Sequence, residues 1–173
     1  MSRLLGGCRH PLLFLVLAAW LAVAGPADAA PPAALTGTVT WIYDADTCRI
    51  DPHGQVRLLG IDAPERSASD RDQAFIKLGV AAKHLRPMYG AGLAWMIRHV
   101  KGQVVTLVQD QTKRDRHGRL LAYVHLADGR LLNRVLLEEG LVIVYRRFPF
   151  THENDFLTAE ATARQRGKGL WAH

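Results

Sequence analysis

The stretch Leu35-Thr36-Gly37-Thr38-Val39-Thr40-Trp41-Ile42-Tyr43-Asp44-Ala45-Asp46-Thr47-Cys48-Arg49-Ile50-Asp51-Pro52-His53-Gly54-Gln55-Val56-Arg57-Leu58-Leu59-Gly60 decides the fold. Val39 and Trp41 are set off by Thr38 and Thr40, the period-two pattern of a half-buried strand, so residues 35–42 read as the first strand. Residues 47–50 and 55–60 read as the second and third. Between them Asp51-Pro52-His53-Gly54 is a run of turn formers, which predicts a hairpin.

Working outward, residues 104–108 and 120–126 carry the same strand signal and flank a polar segment over 110–119. Residues 66–90 are weakly patterned: a charged loop (Ser67, Asp70, Arg71, Asp72) precedes an expected helix over 73–85 that ends before Pro87. Leu93, Ile97 and Val100 recur at helical spacing over 91–101, which stops at Gly102. Two more helices are expected, over 131–139 with Gly140 closing it and over 154–166 with Thr151 or Asn154 as N-cap. Five short strands with antiparallel connections fit an α+β fold that is mainly β. That fold is a five-stranded closed barrel of the OB type capped by about three helices.

The N-terminal segment follows different rules. Arg3 and Arg9 precede an apolar run over 11–24 too short for a comfortable membrane anchor, and Ala27-Asp28-Ala29 has small residues where a signal peptidase reads. Residues 1–29 are therefore expected to be a signal peptide cleaved before Ala30, with a linker over 30–34 and one domain over 35–173. The expected location is secreted or periplasmic, with no stable membrane association after cleavage and an anchored protein if cleavage fails. Cys8 falls in the leader, so Cys48 stands alone and no intramolecular disulfide is possible in the exported domain. With 22 Lys and Arg against 16 Asp and Glu the chain is basic, which suits a polyanionic partner and is equally satisfied by a solvated face.

Three segments carry the chemistry. Asp44-Ala45-Asp46-Thr47 lies between the first two strands. Arg57-Leu58-Leu59-Gly60-Ile61-Asp62-Ala63-Pro64-Glu65 runs off the third, with Arg57, Leu59 and Ile61 on one face by counting in twos. Asp115-Arg116-His117-Gly118-Arg119 is a turn delivering Arg119 to the fifth strand. After Pro64 breaks the strand, Asp62 and Glu65 can turn inward to meet Asp46. Such a set of oxygen donors suits a hard divalent cation such as calcium, abundant outside cells. Each aspartate alone reads as a turn former or an exposed charge; the combination points further.

Together these segments resemble the staphylococcal nuclease, or thermonuclease, family, and the similarity runs from Val39 to Trp171. The resemblance implies an OB-fold barrel and a calcium-dependent nuclease, most simply a monomer, that attacks DNA and RNA and leaves 3′-phosphate ends. It implies Ca2+ ligands at Asp46, Asp62 and the backbone carbonyl of Ala63, and a catalytic trio of Arg57, Glu65 and Arg119. Glu65 would take a proton from a calcium-associated water, and the two arginines would hold the phosphate. Tyr145 falls where the family carries an aromatic residue near the nucleotide, with Arg146 and Arg147 beside it. Asn133, Gly140, Ala161, Gly169, Leu170 and Trp171 look like its packing residues.

Departures from the family pattern are local. Ala45 stands where the family usually has glycine, and at positive φ that would cost on the order of 1 kcal/mol. His117 replaces a tyrosine or phenylalanine and can still meet a phosphate as a substrate-binding residue. Cys48 has no activating histidine indicated and reads as a small hydrophobe. The rival from another class is a nucleic-acid-binding OB module that has lost catalysis. Arg57, Glu65 and Arg119 together argue against it. An anchored structural protein leaves all three motifs unexplained.

Overall fold

The computed structural model describes residues 34–172; the expected signal peptide and nearly all of the linker lie outside them. The element order is β1 (Leu35–Ile42), β2 (Thr47–Asp51), β3 (Gly54–Leu58), β4 (Ile61–Asp62), α1 (Asp72–Lys77), α2 (Ala82–His99), β5 (Val104–Val108), β6 (Leu120–His125), α3 (Leu132–Glu138), β7 (Ile143–Val144) and α4 (Glu153–Gln165). A 3-10 turn, Gly169–Trp171, follows. Five strands close a barrel in the order β1-β2-β3-β6-β5, the α+β OB-type architecture that the strand patterning predicts. The connections are not all antiparallel: β3 and β6 run parallel, pairing Val56 with Leu120 and Arg57 with Leu121, and this contact closes the cylinder.

Alternation explains the core. Val39, Ile50, Val56, Leu58, Leu107 and Val124 point inward and are fully buried, as are Leu132, Leu136 and Phe156 of the helices laid against the barrel. Asn133 is also fully buried, and it satisfies both ends of its amide. Its Oδ1 accepts from the Val124 N–H at 3.0 Å and its Nδ2 donates to the Leu59 carbonyl at 2.8 Å, binding α3 to the rim above β3. Leu170 and Trp171 pack a second cluster around Phe75 and Leu85 as expected, whereas Ala161 is exposed and its neighbours Ala159 and Ala163 are the buried alanines of α4.

Several sequence expectations are corrected. The helices expected over 73–85 and 91–101 divide elsewhere: α1 ends at Lys77, and α2 starts at Ala82 and runs through Pro87 to His99. Pro87 lies in the second turn, where the lost backbone bond is tolerated because Leu85, Gly92 and Met96 form a buried stripe on the same helix. The third strand ends at Leu58 rather than at residue 60. Gly60, at φ +80°, turns the chain so that Ile61 and Asp62 pair instead with Ile143 and Val144 of β7. Leu59 and Ile61 are therefore not strand partners of Arg57, although both are buried. Helix α4 begins at Glu153 behind His152 with no side-chain cap from Thr151 or Asn154. Among the described residues no helix is long and apolar enough to cross a membrane.

Candidate active site

The turn between β1 and β2 presents Asp44 and Asp46 at one end of the barrel. It is pinned by Tyr43 and Asp44 N–H groups on the Thr47 carbonyl, at 3.0 and 3.3 Å, and by the Asp46 N–H on Asp44 Oδ1 at 2.9 Å. Ala45, at the centre of this turn, is 2% exposed. Its methyl group sits against Gly92 of α2, where an added Cβ would stand 2.8 Å from the Ala45 Cβ. The missing side chain at 92 thus makes the room that Ala45 takes up, and it explains a glycine in the middle of a buried helical face.

Opposite that turn, β3 supplies Arg57 and the chain beyond Gly60 supplies Asp62, Ala63 and Glu65. The Asp46 carboxylate is nearly closed from solvent, yet both of its oxygens are engaged: Arg57 Nη1 and the Thr47 hydroxyl donate to Oδ1, the latter at 2.7 Å, and the Ala63 N–H donates to Oδ2 at 2.7 Å. Arg57 Nη2 donates to Asp62 Oδ1 at 2.7 Å and to the Ile61 carbonyl at 3.3 Å. Asp62 Oδ1 also accepts from Arg71 Nη2, while Arg71 Nη1 reaches Glu65 Oε1 at 2.6 Å. The three expected carboxylates do meet in one region, but strung on two guanidinium groups in the order Asp46, Arg57, Asp62, Arg71, Glu65 rather than converging on a point. Among the described residues no three His, Cys, Asp or Glu side chains are gathered as a metal cluster.

Electrostatics follows from this chain. Burial presses Asp46 upward, but the Arg57 guanidinium outweighs it, with help from Thr47 and Ala63, and holds the carboxyl below the usual range. Asp62 shares the same arginine and moves the other way, raised first by burial and then by the charge of Asp46, against the pull of Arg57 and Arg71. The direction differs because Asp46 receives more hydrogen bonds to its ionised form. Asp44 is pushed up to about 8, first by burial and then by Asp46 beside it. Arg57, despite burial, is raised further by Asp46 and Asp62. More negative charge is packed here than the cations comfortably balance, and all the donors are hard oxygens. Oxygen donors of this kind suit a hard divalent cation, and Asp46, Asp62 and the Ala63 carbonyl are the ones that could hold it.

Arg119 arrives from the other side, on the loop entering β6. Asp115 holds it three times, accepting from the backbone N–H at 3.0 Å and from Nε and Nη2 at 2.7 Å each. The parallel β3–β6 register places Arg119 one residue before Leu120, the partner of Val56, and so two residues short of the position opposite Arg57. His117 is exposed on this loop, 3.1 Å from Arg116 Nε. Tyr145 is half-buried beside Phe148, rings 4.9 Å apart, and its N–H donates to the Gly60 carbonyl at 2.9 Å. Arg147 is exposed, but Arg146 is not available as the sequence suggests: Glu160, 3% exposed on α4, accepts both of its terminal nitrogens.

Two residues of the site carry no assignment in the sequence reading. Asp44 belongs to the quoted motif without a role of its own. Arg71 sits in a charged loop at no fixed distance from any motif, and its only signal is an arginine flanked by Asp70 and Asp72 downstream of Glu65.

Comparison with known proteins agrees with this geometry. The family of staphylococcal nuclease homologues matches residues 55–173. A thermonuclease of Staphylococcus intermedius is 30% identical over 138 residues, covering 75% of this chain and 72% of that protein. A thermonuclease of Staphylococcus hyicus is 27% identical over 142 residues, covering 80% and 76%. An uncharacterised endonuclease of Escherichia coli O157:H7 is 29% identical over 140 residues, covering 79% and 76%.

Proposed function

Because the chain belongs to the family of staphylococcal nuclease homologues, we propose that it hydrolyses phosphodiester bonds of DNA and RNA in a calcium-dependent reaction that leaves 3′-phosphate ends. The family and the nuclease-named relatives support a hydrolase acting on nucleic acid. The observation that carries the finer reading is the linked array Asp46, Arg57, Asp62, Arg71 and Glu65.

Calcium bound by Asp46, Asp62 and the Ala63 carbonyl would polarise a phosphate oxygen and lower the pKa of attacking water. Glu65 is 35% exposed, so its carboxylate reaches solvent and can accept the proton of that water. The water oxygen bonds to phosphorus as the bond to the 5′-oxygen breaks in line, leaving the phosphate on the 3′ side. Arg57 and Arg119 hold the phosphate oxygens, and a guanidinium suits this because its charge is permanent and its donors are paired in one plane. Arg71 keeps Glu65 turned toward Asp62 until substrate competes for it. Export with cleavage before Ala30 belongs to the same proposal and rests on the composition of residues 1–29; action as a monomer belongs to it too and rests on the family resemblance.

The test uses protein recovered from the exported fraction. Its N-terminal sequence reads Ala30-Pro31-Pro32 if cleavage occurs as expected and Met1 if the segment stays. That protein and a Glu65→Gln variant are incubated with single-stranded and heat-denatured DNA and with RNA, in excess calcium or in chelator. Calcium-dependent cleavage that falls at least about a hundredfold in the variant is expected, with ends that lose a phosphate to phosphatase. Binding without cleavage under all conditions sinks the enzymatic reading and leaves a nucleic-acid-binding barrel.

A further inference from the structure

Outside the candidate active site, β1 shows an unusual outer face. Trp41 is 54% exposed and Tyr43 is 42% exposed, two large rings that contribute little to the core. A β-bulge places the first of them. Val39 is buried opposite Ile50 and Ile42 is buried opposite Cys48, so the register shift between Val39 and Trp41 leaves Thr40 and Trp41 both facing out. Tyr43, the first residue beyond β1, is exposed again after the buried Ile42. Two residues of chain span at most about 7 Å, so the two exposed rings, one at the end of β1 and one just beyond it, stand close together. The pair adjoins the candidate site, since Tyr43 and Asp44 together are pinned to Thr47 at the start of the carboxylate turn.

Positive charge accompanies the rings. Lys101 Nζ lies 5.0 Å from the centre of the Trp41 ring, which steadies the indole and places an ammonium beside it. Arg49 stands opposite Trp41 on β2 and is half exposed, its carboxylate partner Asp51 similarly so. An ion pair this open contributes little and exchanges readily for phosphate. A protein-binding patch of this size would be expected to have a core depleted of charge, whereas here cations alternate with aromatic planes. That combination of flat rings and backbone-tracking charge is how sequence-tolerant single-strand binding is built.

We infer that Trp41 and Tyr43, with Arg49 and Lys101, form a track for single-stranded nucleic acid that leads the substrate into the candidate active site. Successive bases stack on the two rings and the phosphates between them lie against the cations. The inference rests on the nuclease reading and adds a specificity: the track takes strands whose bases are free, because in a duplex those faces are already stacked on each other.

A Trp41→Ala, Tyr43→Ala double variant tests this, with thermal unfolding recorded to confirm that two exposed positions leave the fold intact. Cleavage is followed on long poly(dT) and on a thymidine dinucleotide with one scissile bond, and binding of fluorescein-labelled dT oligomer is followed by anisotropy in chelator. The expected result is about a tenfold rise in KM on poly(dT) and in the oligomer Kd for each ring removed, with kcat/KM on the dinucleotide and affinity for duplex DNA unchanged. An unchanged KM on poly(dT), an equal loss on the dinucleotide, or conversion of a wild-type oligomer to monomer on sizing would each overturn the track. The last would assign the patch to self-association. Wild-type protein that cleaves neither substrate overturns the nuclease reading along with it, while active wild type with an unaffected variant overturns the track alone.

Discussion

Arg57 is 11% exposed and gives both terminal nitrogens to buried aspartates, whereas Arg119 is 22% exposed and leans on one carboxylate, Asp115, of its own loop. The two are assigned the same phosphate, yet one is built into the barrel wall and the other is hung from a turn. A buried guanidinium between two carboxylates is both a functional group and a structural counter-ion, so its removal conflates catalysis with folding. Arg119 separates the two effects, because little besides its own loop depends on it.

The comparison breaks first at Arg57. Replacing it with alanine leaves Asp46 and Asp62 without their shared partner, and breaking a buried pair in this way costs about 3–5 kcal/mol. Urea unfolding in chelator should show a loss of that size together with lost activity; a wild-type midpoint would mean that the aspartates do not need this cation. Arg119→Ala should cost the rate at least about a hundredfold, as removal of one preorganised donor does elsewhere, while the urea midpoint stays put. Near-normal turnover at saturating calcium and DNA would remove Arg119 from the mechanism.

The smallest effect sharpens the comparison at the base of the Arg119 loop. Asp110 accepts from the Tyr123 hydroxyl at 2.7 Å and from the Thr151 N–H at 2.9 Å. Against the opposing effect of burial, these bonds bring its pKa down from 3.8 to about 2. A carboxylate depressed in the folded state contributes its stability above the unfolded value and loses it as pH falls through the folded one. Asp110→Asn should therefore lower neutral-pH stability by no more than about 1 kcal/mol, since the group is well solvated. The gap to wild type should close between about pH 4 and pH 2. A gap that persists unchanged below pH 2 would show that ionised Asp110 is not its source.

What the sequence made legible was whatever obeys a period or a motif. Half-buried strands such as β1 announce themselves by alternation, and the Asp44–Thr47 and Arg57–Glu65 segments by their order. Helix α2 did not, because Pro87 signals an end and one of its buried positions is Gly92, a residue that no hydrophobic pattern registers. Strands β4 and β7, two residues each, are too short for any period to appear. Arg71 joins Asp62 to Glu65 through a loop whose length no rule fixes. Arg146 was misread because Glu160, which claims it, becomes its neighbour only when α4 packs beside β7. Long-range pairing of charges is a property of the folded chain.

The parallel seam between β3 and β6 has a temporal consequence. Arg57 and Arg119 belong to segments far apart along the chain, and every contact across that seam requires the intervening helices and β5 to be laid down first. Non-local pairing of this kind forms late, since the entropy of closing the loop must be met before the contact returns anything. A chain still emerging from synthesis, with that seam unmade, has an open barrel with its arginines apart. Such a chain can pass beside nucleic acid without harming it.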